Sequence, residues 1–353
     1  MRAPYVHEAY RAATTGLQAG AAAVVLLWLL ELFGATFTSP WGTFACASTL
    51  GALVALKARA RRLPAAGRGV LVTGCDSGFG LALARRLQEL GCVVFAGCLQ
   101  AANGDGAVEL RRLPRVHVLQ LDVTDDKQVE EARIFVEENL PVNGLWGVVN
   151  NAGIFVCSPI EWALPKDVQR LFDVNALGPL RVSKAFLPLL RQTRGRLVNV
   201  TSVSGRAVSG PGMGVYGMSK FAAEALTDYL RVEQRRFGVH VAVIEPGNFA
   251  AATSIVQAEA LRAALVAGWG SLSDAARAAY GADGPDAVLK AFMDLLAAPT
   301  THSLNVSPVV AAIEDALLSC WPAPRYVPAD LEFTLLAWIS THCPEWLFEK
   351  IFV

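Results

Sequence analysis

The chain has 353 residues, with 31 basic against 31 acidic side chains and a formal charge of zero. That balance offers no basic surface for a nucleic-acid partner and no polybasic membrane patch. The length suits one large α/β domain with an appendage, or two modest domains. Seven cysteines (46, 75, 92, 98, 157, 320 and 343) are odd in number and lack C-x-x-C spacing, and the five histidines show no metal-ligand spacing. A reduced, cytosol-like surrounding is expected, without a disulfide framework or a zinc site.

Residues 17–37 form a nearly unbroken apolar run of 21, interrupted by Gln18 and Glu31, and residues 41–56 a second, uncharged run of 16. A helix needs about 20 apolar residues to cross a bilayer core, so the first is long enough and the second nearly so. Thr38-Ser39-Pro40 reads as the turn between them. Lys57, Arg59, Arg61, Arg62 and Arg68 then follow with no acid among them. Positive flanks stay cytoplasmic, so residues 1–62 are expected to be a membrane anchor of one or two transmembrane helices. The rest of the chain would face the cytosol at the endoplasmic reticulum, with a mitochondrial membrane as the alternative. A cleaved signal peptide ending near Ala45-Cys46-Ala47 and a transit peptide compete with this reading. Glu31 and the late start of the apolar run weigh against the first, and the sparse early arginine and serine against the second. Residues 63–68 read as a linker.

A short buried strand at 69–72 runs into Thr73-Gly74-Cys75-Asp76-Ser77-Gly78-Phe79-Gly80, and a helix follows over 81–90. Strand, glycine loop and helix in that order is the context of a phosphate-binding turn. The glycines permit a tight turn and close backbone approach to pyrophosphate, whose charge faces the helix N-terminus. Cofactor contacts are expected from Thr73, Gly74, Asp76, Ser77, Gly78, Phe79 and Gly80. A second strand, 93–97, ends without the acid that favours NAD or the arginine that favours NADP. With no cation to compensate a 2′-phosphate, NAD is the expected cofactor and NADP the alternative. A third strand, 116–121, leads to Asp122 and Val123, where the acid can meet an adenine amino group or simply cap the next helix. A fourth, 144–149, ends in Asn150-Asn151-Ala152-Gly153, either a turn or, with Asn150, Ala152 and Gly153, part of the cofactor site.

The fifth strand, 196–200, carries Thr201 and Ser202 at its tip. Tyr216 and Lys220 follow, four apart on a helix over 215–236, and so project from one face. A neighbouring ammonium stabilises phenolate and is expected to lower the tyrosine pKa from about 10 toward neutrality. That yields a proton donor and acceptor usable at cellular pH. A sixth strand, 240–244, precedes Pro246-Gly247-Asn248-Phe249. Helices are expected over 255–269, 273–280 and 307–318, the last begun by Ser307-Pro308, with a final strand at 325–327. Residues 331–353, with Trp338, Trp346, Phe348 and Phe352, read either as core or subunit interface, or as a surface that touches membrane lipid.

In order and spacing, residues 69–255 resemble the short-chain dehydrogenase/reductase family. The matching motifs are T-G-x-x-x-G-x-G at 73–80, N-N-A-G at 150–153, Asn175, Ser202, Y-x-x-x-K at 216–220 and Pro246-Gly247. The resemblance implies a Rossmann-type doubly wound parallel sheet, with residues 256–353 as substrate lid and C-terminal extension. It implies that Ser202 hydrogen-bonds the substrate oxygen, and that Tyr216 exchanges the proton. Lys220 would lower the tyrosine pKa and bind the nicotinamide ribose, while Asn175 would hold a water joining Lys220 to solvent. Ser204 remains an alternative to Ser202, since they precede Tyr216 by 12 and 14 residues respectively. Pro246, Gly247, Phe249 and Thr253 would line the nicotinamide. Position 251 is alanine where the family often has threonine, which leaves Thr253 or Ser254 for the carboxamide.

Within the family, Thr73-Gly74-Cys75-Asp76-Ser77-Gly78-Phe79-Gly80, Leu145-Trp146-Gly147 and Ile244-Glu245-Pro246-Gly247 resemble a membrane-associated branch. It contains D-3-hydroxybutyrate, retinol and type 2 hydroxysteroid dehydrogenases. Phe95-Ala96-Gly97-Cys98-Leu99, Glu245-Pro246-Gly247-Asn248-Phe249 and Arg325-Tyr326 are most similar to the hydroxybutyrate enzymes, and the N-terminal hairpin to the steroid enzymes. The expected function is NAD(H)-dependent interconversion of a secondary alcohol and its ketone, with 3-hydroxybutyrate first and a steroid or retinoid second. A non-catalytic nucleotide-binding scaffold is the reading from another class. Family analogy also implies a homo-oligomer paired through the helices around 168–190 and 215–236.

Overall fold

The structure is a computed structural model. It describes residues 61–207, 210, 212–281, 284–297 and 305–344, with positions 17, 20, 21, 23, 24, 44–51, 346, 347 and 350. Two compact units are present, Ala65–Leu317 with Ala323–Val353, and Met1–Pro64 with Leu318–Pro322.

The larger unit is built from apolar strand runs separated by amphipathic helices. Its strands are β1 (Gly69–Thr73), β2 (Val93–Cys98), β3 (Val116–Gln120), β4 (Leu145–Asn150), β5 (Arg196–Val200), β6 (His240–Ile244) and β7 (Arg325–Tyr326). Between β1 and β6 lie helices α1 (Gly78–Glu89), α2 (Asp105–Leu110), α3 (Asp126–Glu138), α4 (Pro165–Phe172), α5 (Gly178–Thr193) and α6 (Gly214–Gln234). Then come α7 (Ala258–Gly270), α8 (Asp274–Tyr280), α9 (Pro285–Ala297), α10 (Ser307–Leu318) and, after β7, α11 (Leu331–His342). The sheet order is β3-β2-β1-β4-β5-β6-β7, and every pairing is parallel.

Helices cover both faces of such a sheet, so its strands are buried on both sides and read as continuous apolar runs. Strand β4 is buried at every position. Leu71, Phe95, Val148 and Leu197 join Val129 and Val136 of α3 and Phe186 and Leu190 of α5 in one core. Helix α10 comes so close to the sheet that a Cβ on Gly147 would lie 2.6 Å from Leu317. The Trp146 indole donates to the Leu317 carbonyl at 2.8 Å. Chain order reverses between β1 and β4, the switch point where doubly wound sheets bind ligands.

The doubly wound parallel sheet is therefore the one the family resemblance implied, in agreement with the strand–helix alternation. Three details differ. The first helix begins at Gly78 rather than 81, so the loop glycines form its first turn. The helical segment around 168–190 is interrupted by a π-helical turn, Asp173–Leu177, which turns Asn175 into the interior. Helices α2 and α9 had no sequence expectation. Gly106 weakens the helical signal of α2, whereas Pro285 at the start of α9 and Val288, Leu289, Phe292 and Leu296 at helical spacing were readable.

In the smaller unit residues 44–51 are helical, and the Thr49 hydroxyl donates to the Ala45 carbonyl. Gly20 lies too close to Phe44 and Ser48 to admit a Cβ, and Arg62 and Ser319 form an antiparallel bridge. Most of the apolar runs 17–37 and 41–56 lies outside the described residues, as do Phe348 and Phe352. Among the described residues no helix is long and apolar enough to cross a membrane.

Candidate active site

The site begins where the loop after β1 meets the loop after β4. Gly74 and Gly78 adopt positive φ, +69° and +56°, open to glycine at little cost. A Cβ on Gly74 would sit 2.8 Å from the Ala152 Cα, and one on Gly80 would strike the Gly74 carbonyl. The Thr73 hydroxyl accepts from the Asn151 and Ala152 N–H groups at 3.0 Å each. Asn151 in turn donates to the carbonyls of Thr73 and Gly74. This builds a cradle floored by glycines at the N-terminus of α1, whose first N–H groups lack intrahelical acceptors. The residues present thus fit a pyrophosphate.

Above the cradle opens a cavity of about 520 Å³. Of the expected cofactor residues, Gly74, Asp76, Ser77, Gly78, Phe79, Ala152, Gly153, Pro246, Gly247, Phe249 and Thr253 line it. So do Ser202, Ser204, Tyr216 and Lys220. Thr73 and Gly80 lie beneath it as supports. Asp122, Val123 and Asn150 are not in its wall. The Asp122 carboxylate accepts from the N–H and hydroxyl of Thr124, both at 2.8 Å. It does not cap the next helix, a part taken by Asp125, which accepts from the Lys127 and Gln128 N–H groups. The buried Asn150 amide braces β4 against its neighbours, donating to Asn199 at 2.8 Å and Ser183 at 3.1 Å.

Tyr216 and Lys220 both point inward from α6 and are almost fully buried. The Lys220 ammonium stands 5.6 Å from the tyrosine ring centre. Ser202 hydrogen-bonds the Tyr216 phenol and accepts from the Ser204 N–H. Asn175 is outside the wall. Its amide accepts from the Ile154 N–H and donates to the Ile154 carbonyl, both at 2.9 Å, and donates to Ser219 at 3.1 Å. Gly153 lies beside both Asn175 and Lys220, since a Cβ there would be 3.4 Å from Asn175 Oδ1 and 3.6 Å from Lys220 Nζ.

The titration of the pair corrects one expectation. Burial pushes the phenol up to about 12, with the Ser202 hydrogen bond opposing. Burial also pulls the Lys220 ammonium down to about 8, with the Glu224 charge opposing. Removing water penalises the charged form of either group.

A family model for short chain dehydrogenases matches residues 68–261. The chain belongs to the short-chain dehydrogenase family. It is 40% identical over 298 residues to the mitochondrial D-beta-hydroxybutyrate dehydrogenase of Rattus norvegicus, covering 82% of this chain and 84% of that one. It is 39% identical over 295 residues to retinol dehydrogenase 5 of Mus musculus, covering 82% and 89%. A solved short-chain dehydrogenase from Burkholderia phymatum, in complex with NAD, shares the fold with a TM-score of 0.62 at 21% identity, over 78% of this chain and 93% of that one. This member of the short-chain dehydrogenases is an NAD(P)-dependent oxidoreductase.

Several wall residues of this dehydrogenase were not anticipated. Phe155 packs edge-on against Tyr216 at 4.9 Å and stacks on Phe292 at 5.2 Å. Leu261, Leu296 and Met213 complete this apolar side, and only the helical spacing within α9 hinted at Phe292. The loop after β6 folds back over the cradle. Ser254 hydrogen-bonds Ser77 at 2.8 Å, Phe249 meets Phe79 edge-on, and the Thr253 hydroxyl donates to the Phe249 carbonyl.

Proposed function

We propose that the protein interconverts a secondary alcohol and its ketone with NAD(H), and that a 3-hydroxybutyrate-type alcohol is its substrate. The observation that carries the chemistry is the meeting of Ser202, Tyr216 and Lys220 at one wall of a cavity whose floor is the glycine cradle. When bound, the nicotinamide supplies or removes the hydride. In ketone reduction, Ser202 donates a hydrogen bond to the carbonyl oxygen and Tyr216 passes its phenolic proton to that oxygen. Lys220 stabilises the phenolate left behind and holds the nicotinamide ribose. Pro246, Gly247, Phe249 and Thr253 orient the nicotinamide, and Asn175 positions Ile154 and the Ser219–Lys220 turn.

The substrate rests on similarity to the hydroxybutyrate enzymes. A second reading, a retinoid or steroid alcohol, is favoured by the apolar wall of Phe155, Phe292, Leu261 and Leu296. Steady-state assays of detergent-solubilised protein with 3-hydroxybutyrate, retinol and estradiol separate them. The expected result is a kcat/KM for 3-hydroxybutyrate about tenfold or more above the others, a difference of about 1.4 kcal/mol in the barrier. The reverse order favours the second reading. Tight NADH binding without turnover of any alcohol would favour a scaffold.

The rate should also report Lys220. Its ammonium titrates at about 8, so kcat/KM for ketone reduction is expected to be level near neutral pH. Above about pH 8 it should fall by about tenfold per pH unit as the stabilising charge is lost. A profile level to pH 10 would remove Lys220 from this role. The same shift affects stability with a known sign. Between about 8 and the ordinary lysine value the unfolded chain holds the proton more tightly, so this group's contribution to stability rises with pH there.

We further propose the division 1–62 anchor, 63–68 linker, 69–255 catalytic domain and 256–353 lid and extension. The anchor would tether the enzyme to a membrane with the catalytic domain facing the cytosol. Met218, Phe221, Tyr229 and Val232 leave an exposed apolar stripe along α6, which supports pairing with a second copy.

A further inference from the structure

We infer that Asp76 selects the unphosphorylated dinucleotide, supplying from the glycine loop the carboxylate that doubly wound folds often place at the end of the second strand. This rests on the nucleotide site proposed above. Strand β2 ends at Cys98, and the next residues, Leu99 and Gln100, carry no charge. An acid reaches that tip from elsewhere. Asp76 accepts from the Leu99 N–H on Oδ2 at 2.9 Å and from the Gln100 N–H on Oδ1 at 2.8 Å. Both oxygens are anchored, and each retains acceptor capacity for another donor.

The Asp76 backbone is also held from behind. The Asp76 carbonyl lies against Gly106 of α2 so closely that a Cβ there would strike it. The Asp76 side chain is half-buried and faces the cavity. A carboxylate held at the tip of the second strand accepts hydrogen bonds from the vicinal hydroxyls of an adenine ribose and repels a 2′-phosphate. The nearby Arg111 guanidinium is occupied by the carbonyls of Ala101 and Ala102.

The test uses fragments that lack the nicotinamide, so that binding is read apart from catalysis. ADP-ribose, its 2′-phosphate and its 2′-deoxy analogue are titrated calorimetrically into the full-length, detergent-solubilised wild-type, Asp76→Ala and Asp76→Asn proteins. Wild type is expected to favour ADP-ribose over the 2′-phosphate, and over the 2′-deoxy analogue, by about tenfold or more, as for hydrogen bonds to a charged group. Both variants should lose most of the preference against the 2′-phosphate. A wild-type protein that binds all three fragments equally overturns the inference, as do folded variants that keep the wild-type ratio. The wild-type comparison with the 2′-deoxy analogue decides the matter if neither variant folds. Failure of wild type to bind any fragment would overturn the nucleotide site itself and this inference with it.

Discussion

Replacing Tyr216 by phenylalanine is expected to lower kcat about 10³-fold in both directions, within the range for removing a positioned proton-transfer group. The dissociation constant for NADH should change little. The phenyl ring keeps the edge-on contact with Phe155 and its place in the buried cluster with Leu171 and Val215. What is lost is the hydroxyl that Ser202 bonds, at a cost to folding of about 1 kcal/mol. The variant should therefore fold and bind cofactor, and fail only where a proton must move. Single-turnover rates set beside NADH titrations measure the two effects separately. Near-normal rates would remove Tyr216 from the chemistry.

The second large effect is on stability. Arg325 of β7 pairs with Glu224 one turn beyond Lys220, with Glu245 beside Pro246, and at 3.3 Å with Asp228. Glu245 is completely buried and Glu224 nearly so. Thr201 also donates to Glu224, and Arg206 reaches Glu245 at 3.1 Å. One guanidinium thus neutralises carboxylates from the helix that carries Tyr216 and Lys220 and from the loop that carries Pro246. Arg325→Met leaves Glu224 buried without its cation. Breaking a buried pair in this way costs about 3–5 kcal/mol, which for a domain of this size lowers the melting temperature by roughly 10 °C.

Acidification tests the cause. Burial holds the Glu224 carboxyl above the usual carboxylate range, with Arg325 opposing. Without the arginine the folded state should take up that proton more readily. A group whose folded pKa is raised loses stability as pH rises through it. The gap between Arg325→Met and wild type should accordingly narrow from pH 7 to pH 5, and Glu224→Gln should offset part of the loss in the double variant. A gap independent of pH would show that Arg325 acts through packing alone.

Much of this was legible in the chain because it is encoded locally. Apolar runs announce buried parallel strands, and the 73–80 glycines announce a turn that no side chain fits. The four-residue spacing of Tyr216 and Lys220 puts them on one helical face before any tertiary contact is known. Other features depend on partners distant in sequence. Asp122 could be read as an adenine contact or a helix cap, yet its carboxylate turns back onto Thr124, the local bonding by which short acids compete for backbone groups. Asp76 looked like one loop residue among several, and only the fold carries it to Leu99 and Gln100, 23 and 24 positions away.

The amino-acid order by itself determined the sheet-and-helix alternation, the glycine turn after the first strand, and the placing of Tyr216 and Lys220 on one helical face. Those follow from periodicity and covalent spacing, which act over a few residues. Tertiary structure alone decided how those groups titrate and what surrounds them. Burial raised the phenol and lowered the ammonium, α9 brought Phe292 against Phe155, and β7 delivered Arg325 to three carboxylates. The loss of water and the juxtaposition of distant segments arise only when the chain has folded, and a reading of local pattern carries neither.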